Sequence, residues 1–159
     1  MSVTDTLVNN NASYAAAFDK GDLPLPPALR VAVVACMDAR LDPARVLGLE
    51  EGDAHVIRNA GGVVSDDVIR SLTISQRLLG TTAIVLIHHS DCGMVTFNDD
   101  DVKAKITAEV GIRPPFALEA FPDADDDVRQ SISRLKSSPF LADTDDARGF
   151  VDEVETGKL

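Results

Sequence analysis

Aromatic residues are scarce in this chain: tryptophan is absent, tyrosine occurs once and phenylalanine six times. A folded core must therefore be built mainly from valine, isoleucine, leucine and alanine. The sequence also lacks any apolar run near the ~20 residues that a bilayer-spanning helix needs. No basic segment followed by an apolar one stands at the N-terminus. These absences predict a cytoplasmic protein with no membrane partner.

Basic residues are outnumbered, with 15 Lys and Arg against 26 Asp and Glu, which gives a net charge of −11. The bases form no stripe, so nucleic acid and anionic membranes are poor partners for this chain. The acids gather in three short runs, at 99–101, 123–127 and 143–146. None has the spaced Asp-x-Asp-x-Asp-Gly pattern of a calcium loop. We predict that these runs serve solubility and helix N-termini.

Cysteine occurs only twice, and each cysteine follows an apolar run typical of a buried strand. Cys36 comes directly after the run 31–35, and His89 and Cys92 follow the run 83–87. Two thiolates and one imidazole are three zinc ligands, which leave the fourth tetrahedral position for water, as in a catalytic zinc site. The alternatives are a disulfide, which a reducing compartment disfavours, and two buried thiols that act as small apolar side chains.

The alternation of apolar runs and helix signals predicts an α/β fold with an open, mostly parallel sheet and helices on both faces. The predicted strands are 31–35, 55–57, 83–87 and 150–154, and the predicted helices are 4–20, 43–47, 66–79, 100–110 and 125–137. Gly21 and Gly80 are the expected ends of the first and third helices. An apolar face on the third helix is predicted from Val68, Ile69, Leu72, Leu78 and Leu79.

Residues 1–159 are predicted to form a single domain, in which 1–29 supply an N-terminal helical arm and a Pro-rich connector. The connector cannot be helical, so the first helix could reach away from its own subunit towards a partner chain. In an open parallel sheet, ligands bind beyond the carboxyl ends of the strands at the point where successive connections diverge. If the first and third strands are neighbours, Cys36 meets His89 and Cys92 there.

Three segments of the chain combine the candidate ligands with nearby polar residues: Cys36-Met37-Asp38-Ala39-Arg40, Arg58-Asn59-Ala60-Gly61 and His89-Ser90-Asp91-Cys92-Gly93. In order and approximate spacing they resemble the motifs of the β-class carbonic anhydrases, and of their small bacterial and mycobacterial branch in particular. The resemblance implies one zinc ion per chain, held by Cys36, His89 and Cys92, with Asp38 and Arg40 as a dyad beside it. It also implies reversible hydration of carbon dioxide to bicarbonate and a proton by zinc-bound hydroxide, in a homodimer or tetramer joined through the N-terminal helix.

The resemblance leaves several roles open. The zinc either carries water or is closed by the carboxylate of Asp38. The plant-type branch has a substrate-binding Gln before its first cysteine, but no Gln precedes Gln76 here. Substrate binding is therefore predicted for the turn that holds Asn59, Gly61 and Gly62.

Three further side chains near these motifs have more than one interpretation. His88 is expected to pack or to support the site, with proton transfer as the alternative. His55 is expected to be structural. For Arg58 we expect a structural salt bridge, and contact with bicarbonate is the alternative.

Three other functions compete with carbon dioxide hydration. The same zinc site could hydrolyse carbonyl sulfide or carbon disulfide. A metal-free phosphatase or sulfurtransferase could use Cys36, but the phosphatase loop needs an Arg six positions after its cysteine, where this chain has Asp42 and, after Cys92, Asn98. A non-catalytic zinc or redox module would keep both thiols and have no use for Asp38 and Arg40.

Overall fold

The computed structural model describes residues 2–159 and shows an α/β fold built on one four-stranded sheet. The strands are β1 Val31–Cys36, β2 Ala54–Asn59, β3 Ala83–His89 and β4 Asp146–Asp152. The helices are α1 Val3–Ala17, α2 Pro43–Leu47, α3 Asp66–Leu79, α4 Asp99–Val110 and α5 Ala124–Ser137. All strands are parallel, in the order β2-β1-β3-β4. The predicted open parallel sheet with an N-terminal helix is confirmed.

Strand β1 lies between β2 and β3, and five of its six residues are buried. On one face of the sheet, Ala32 and Val34 of β1 pack with residues of α3 and α5. On the other face, Val33 and Ala35 pack with α2 and with the loops that follow β1 and β3. Helices therefore lie on both faces, although the second face is covered by one five-residue helix and by irregular chain.

Helix α1 begins at a capping box formed by Ser2 and Asp5, and it has no buried residue. Its predicted end at Gly21 is wrong, because Phe18 already takes an extended conformation and packs on Tyr14 with 5.5 Å between ring centroids. The contacts of this segment with the rest of the chain are polar: Tyr14 donates to Glu51, and Lys20 pairs with Glu50 and Glu51. The apolar side chains of α1 are exposed at Val3, Leu7, Val8 and Tyr14.

Helix α3 has a Ser65 N-cap and ends at Gly80, as predicted. Its buried stripe consists of Val68, Leu72, Ser75 and Gln76. The prediction for Leu78 is wrong, since this side chain is 75% exposed. At about 100° per residue, position 78 points about 120° around the helix from Leu72 and therefore lies outside the stripe.

Strand β4 begins at Asp146 and ends at Asp152, four residues earlier at its start than the predicted 150–154. Asp146 and Arg148 lie on the exposed face of this edge strand and pair with each other. Because polar residues interrupt the apolar run, a search for apolar runs does not detect the start of such a strand. Gly149 of β4 lies against α5, where a Cβ would come within 2.2 Å of Val128 Cγ1. This position therefore permits close packing of helix on strand.

Two of the three acidic runs lie at helix N-termini, as predicted, and the third, at 143–146, leads into β4. Asn98 and Asp123 are N-caps, and the first turns of α4 and α5 contain residues 99–101 and 125–127. Asp99 also accepts the backbone amides of residues 118–120, which ties the α4–α5 connection to the start of α4. Within residues 2–159, no helix combines the length and the apolar character that crossing a membrane requires.

Candidate metal centre

Two thiols and one imidazole meet at the carboxyl ends of the two central strands. Cys36 is the last residue of β1, His89 is the last residue of β3, and Cys92 follows in the turn after β3. Because β1 and β3 are hydrogen-bonded neighbours, the Sγ, Sγ and imidazole nitrogen atoms all lie within 4.8 Å of one another. All three residues are buried, and both cysteines are free.

The protonation of His89 suits a metal ligand. Its Nδ1 lies 2.8 Å from the carbonyl oxygen of Ser90, which can only accept a hydrogen bond, so Nδ1 carries the proton. The lone pair of Nε2 is then free, and this atom lies 3.2 Å from Cys36 Sγ. A backbone carbonyl that fixes the tautomer in this way is the usual partner of a metal-binding histidine.

The donor set itself fits zinc. Thiolate and imidazole are strong zinc ligands, and donors about 2.0–2.3 Å from one tetrahedral ion lie about 3.3–3.8 Å apart. Here the three donor atoms all lie within 4.8 Å of one another, and His89 Nε2 is 3.2 Å from Cys36 Sγ. Burial raises the pKa of the Cys92 thiol to about 11, so a metal must displace a proton to bind its sulfur.

A charged pair lies directly beside the donor atoms. Asp38 Oδ2 is 3.6 Å from His89 Nε2, and its carboxylate accepts Arg40 N at 2.9 Å, Nε at 3.0 Å and Nη2 at 2.9 Å. Hydrogen bonds from the Arg40 side chain hold the pKa of Asp38 well below its usual range. Asp38 is therefore ionised throughout the neutral range.

Arg40 also joins the two loops that carry the donor atoms. Its Nη1 donates to Asp91 Oδ2 at 2.8 Å, and its Nη2 donates to the Asp91 carbonyl at 3.1 Å. Asp91 lies between His89 and Cys92 and has a φ of 53°, in the left-handed region that Asp and Asn tolerate best among residues with a side chain. The Arg40 guanidinium thus bridges the segment after β1 and the turn after β3.

The donor atoms open into a cavity of about 400 Å³. Its lining includes the apolar side chains of Met37, Met94 and Phe97 together with the carboxylate of Asp38. The remaining lining residues are Cys36, Ala60, Gly61, His89, Cys92, Gly93 and Thr96. A small apolar cavity with one ionised group next to the donor atoms suits a small, weakly polar substrate.

Comparisons with known proteins identify the family. The carbonic anhydrase family model matches residues 31–114, the stretch that contains all three motifs. "Beta-carbonic anhydrase 1" of Mycobacterium tuberculosis (strain H37Rv) is 60% identical over 159 residues, which cover 100% of this chain and 97% of that protein. The chain belongs to the β-carbonic anhydrase family.

Membership makes the chain a carbonic anhydrase by enzyme class and confirms the resemblance drawn from the three motifs. A crystal structure of carbonic anhydrase from Streptococcus mutans superimposes with a TM-score of 0.93 at 42% identity, covering 99% of this chain and 96% of that chain. A relative with a different printed activity is the "Carbon disulfide hydrolase" of Saccharolobus solfataricus. It is 32% identical, and the match covers 85% of this chain and 78% of that protein.

The turn predicted to bind substrate is only partly at the cavity of this β-carbonic anhydrase. Gly61 lines the cavity, but Asn59 and Gly62 are not among the lining residues. Asn59 Nδ2 donates to the Val63 carbonyl at 2.9 Å, and its buried Oδ1 has no partner within residues 2–159. Gly62 has a φ of 70°, and a Cβ there would lie 2.8 Å from the Cys36 nitrogen. Gly62 therefore lets the turn pack directly against the backbone of Cys36.

The other two histidines of the β-carbonic anhydrase chain lie away from the cavity. His88 is fully buried, and its Nε2 lies 2.7 Å from Asp127 Oδ2 on α5, on the opposite face of the sheet from His89. His55 Nδ1 lies 2.7 Å from Ser75 Oγ on α3. These contacts favour packing roles for both side chains.

The interactions of Arg58 differ from the salt bridge that was predicted for it. None of the ion pairs found among residues 2–159 includes it. The guanidinium instead donates to three backbone carbonyls, those of Cys36, Asp38 and Leu41. A sequence search for charged partners misses this arrangement because the acceptors are backbone atoms, which every residue has.

Sequence reasoning also missed Asp91 as a partner of Arg40. The sequence offers one indication of a role for Asp91: this residue lies between two candidate ligands, in a tight turn where a residue with positive φ is expected. Nothing in the sequence shows that Arg40, 51 positions earlier, reaches it.

Proposed function

We propose that the chain catalyses the reversible hydration of carbon dioxide to bicarbonate and a proton at a zinc ion held by Cys36, His89 and Cys92. The observation that carries this proposal is the convergence of the three donor atoms within 4.8 Å, with Asp38 Oδ2 3.6 Å from His89 Nε2. Family membership supports both the metal and the reaction. Three ligands from the protein leave one position for water or substrate.

Zinc bound there supplies Lewis acidity, which lowers the pKa of a water molecule from 15.7 towards about 7. Asp38 has two tasks in the proposed reaction. Its ionised carboxylate accepts the hydrogen of the nucleophilic oxygen, and this hydrogen bond turns a lone pair towards the cavity. Arg40 holds the carboxylate in place through three hydrogen bonds and keeps it charged.

The cavity binds the substrate by exclusion of water more than by specific polar contacts. Met37, Met94 and Phe97 surround the open side of the donor atoms. Carbon dioxide has no dipole, so an apolar wall costs it little desolvation. Gly61 lies in this wall, which supports a contact with substrate. Asn59 and Gly62 act on the substrate through the shape of the same turn.

The test of this function combines metal analysis with stopped-flow hydration of carbon dioxide. We expect one zinc per chain and rapid hydration in the wild type, and loss of both in Cys36→Ser and in His89→Ala. The matched control is His55→Ala, a histidine bonded to Ser75 outside the cavity. A zinc-free wild type with full activity, or a His89→Ala variant that retains both, contradicts the proposal.

A second candidate function is hydrolysis of carbonyl sulfide or carbon disulfide at the same site. Two observations favour it: the apolar lining of the cavity and the 32% identity to a protein named carbon disulfide hydrolase. Each carbonyl sulfide would consume one water and give carbon dioxide and hydrogen sulfide. Release of hydrogen sulfide, measured beside carbon dioxide hydration on one preparation, separates the two functions.

We also propose that the described part of the N-terminal arm, residues 2–29, packs on a second copy of the chain. The enzyme works, in this proposal, in the cytoplasm, where its two thiols stay reduced. Support comes from α1, which has no buried residue and exposes Val3, Leu7 and Val8. Light scattering during gel filtration should show a dimer or tetramer for the wild type and a smaller species for Leu7→Asp. The control is Val110→Asp, an exposed valine at the end of α4.

A further inference from the structure

Arg58 is attached to the segment that carries half of the candidate metal centre. It lies near the end of β2, beside β1, where Ala35 is its partner in the sheet register. Its Nε and Nη2 donate to the Cys36 carbonyl at 2.9 Å and 2.8 Å. Nη2 also donates to the carbonyls of Asp38 at 2.8 Å and Leu41 at 2.7 Å. One side chain therefore holds three carbonyls of the loop at 36–41.

Three carbonyl oxygens that point to one place need a donor with several N–H groups. The Arg58 guanidinium offers Nε–H and the two N–H groups of Nη2 to these carbonyls from one rigid plane, whereas the three N–H groups of an ammonium sit at the end of a flexible stem. The loop has other anchors as well: Met37 N donates to the Asn59 carbonyl at 2.8 Å, and Leu41 N donates to the Asp38 carbonyl at 3.1 Å. The Arg40 side chain bonds to Asp91 at 2.8 Å and 3.1 Å. Among these anchors, Arg58 is the side chain that bonds to three backbone carbonyls of the loop.

The same loop contains the Cys36 thiol and the Asp38 carboxylate, which must face His89 from the neighbouring strand. Arg58 touches neither of these functional atoms and is not among the residues that line the cavity. Its hydrogen bonds act on the backbone of Cys36 and Asp38. A direct contact with bicarbonate has no support in this geometry.

We propose that Arg58 is a positioning residue, which fixes the loop at 36–41 so that Cys36 and Asp38 keep their places relative to His89. This inference rests on the proposed metal centre. Removal of Arg58 frees three carbonyls and lets the loop rotate about its attachment to β1. The sulfur of Cys36 then leaves the donor cluster for part of the time, and metal binding weakens.

The experiment measures metal binding by the apo protein, with Co²⁺ and Zn²⁺ titrated against a chelator. For Arg58→Gln we expect affinity to fall by about 10–100-fold, the range seen when supporting partners of metal ligands are removed. Arg58→Lys should recover part of this loss, because an ammonium can reach one or two of the carbonyls. Arg148→Gln is the control, since Arg148 is exposed and pairs with Asp146 of its own strand.

Hydrogen exchange on the same apo proteins gives a readout that is independent of metal. Peptides that cover residues 37–41 should exchange faster in Arg58→Gln, while peptides from α5 should be unchanged. The inference is wrong if Arg58→Gln binds Co²⁺ as the wild type does, or if Arg148→Gln loses as much affinity. It is also wrong if metal affinity is unchanged and only the KM for bicarbonate rises, because Arg58 would then contact substrate.

The two proposals fail in distinguishable ways. A wild type that binds neither metal refutes the metal centre and this inference together. A wild type that binds both metals, beside an Arg58→Gln variant of equal affinity, refutes this inference alone.

Discussion

Gly62→Ala is the substitution whose effect can be worked out most directly from the structure. The residue has a φ of 70°, and a Cβ would lie 2.8 Å from Cys36 N, 3.0 Å from Ala35 C and 3.0 Å from Ile87 O. All three neighbours are backbone atoms of the two central strands, so no side chain can rotate to make room. The variant must either move the turn or separate the ends of β1 and β3.

Two destabilising effects and one opposing effect set the magnitude. A left-handed conformation costs an alanine about 1–2 kcal/mol, and overpacking of a tight interior costs about 1–3 kcal/mol. Alanine also restricts the unfolded chain, which offsets about 0.4–1 kcal/mol. We expect a net loss of about 3 kcal/mol in the free energy of unfolding. This is a large fraction of the roughly 5–15 kcal/mol of a typical domain.

Urea unfolding of the apo protein, followed by circular dichroism at equal protomer concentration, measures this loss. The matched control is Gly111→Ala, because Gly111 has a φ of 77° and no atom lies within 4 Å of the place that its Cβ would take. Gly111→Ala has the cost of the left-handed conformation but no overpacking, so its free energy of unfolding should fall by about 1 kcal/mol. If both variants lose the same amount, the close approach of Gly62 to Cys36 contributes nothing to stability and the reasoning is refuted.

Three further outcomes follow from the geometry of the site and the sheet. Asp38→Ala should keep zinc and lose about 10²-fold or more in hydration rate, because the carboxylate lies beside the three donor atoms without being one of them. Metal analysis and stopped-flow hydration measure the two effects, and a fully active variant would remove Asp38 from the mechanism. Zinc affinity of the apo protein should rise as the pH is raised through the neutral range, because burial raises the pKa of Cys92 to about 11 and its proton must leave on binding; a pH-independent affinity in chelator competition contradicts this. Gly149→Ala should lower the midpoint of thermal unfolding without changing the number of metal ions bound, because the added Cβ would contact Val128 of α5 and not the cavity. An unchanged midpoint in calorimetry would show that α5 moves aside at no cost in stability.

The sheet and its central strands were predictable because their signal is local. Strand β1 is an unbroken run of small and β-branched apolar residues, which is typical of a strand buried on both faces. The ends of α3 and α4 were likewise predictable from single residues, because glycine at positions 80 and 111 favours the end of a helix. The rules of parallel sheets predicted that ligands gather at the carboxyl ends of the strands, but the neighbourhood of β1 and β3 stayed a condition of that prediction until the structure showed it.

The missed features depend on partners that are distant in the sequence. Arg40 meets Asp91 at a separation of 51 residues, and His88 meets Asp127 at a separation of 39. Such pairs form only after the sheet has placed its loops, and no local pattern encodes them. Strand β4 was misplaced for a different reason: its first residues include the exposed Asp146 and Arg148 at a sheet edge and have the composition of a loop.

A metal ion bound between the two central strands, β1 and β3, would also cross-link the polypeptide chain. Cys36 and His89 are 53 positions apart, so an ion that joins them closes a ring of chain that contains α2, β2, α3 and β3 and leaves α4, α5 and β4 outside it. Closure of a ring this long removes conformational entropy from the unfolded chain and so favours the folded one. Starvation for metal would then shorten the lifetime of the enzyme in the cell as well as stop its turnover.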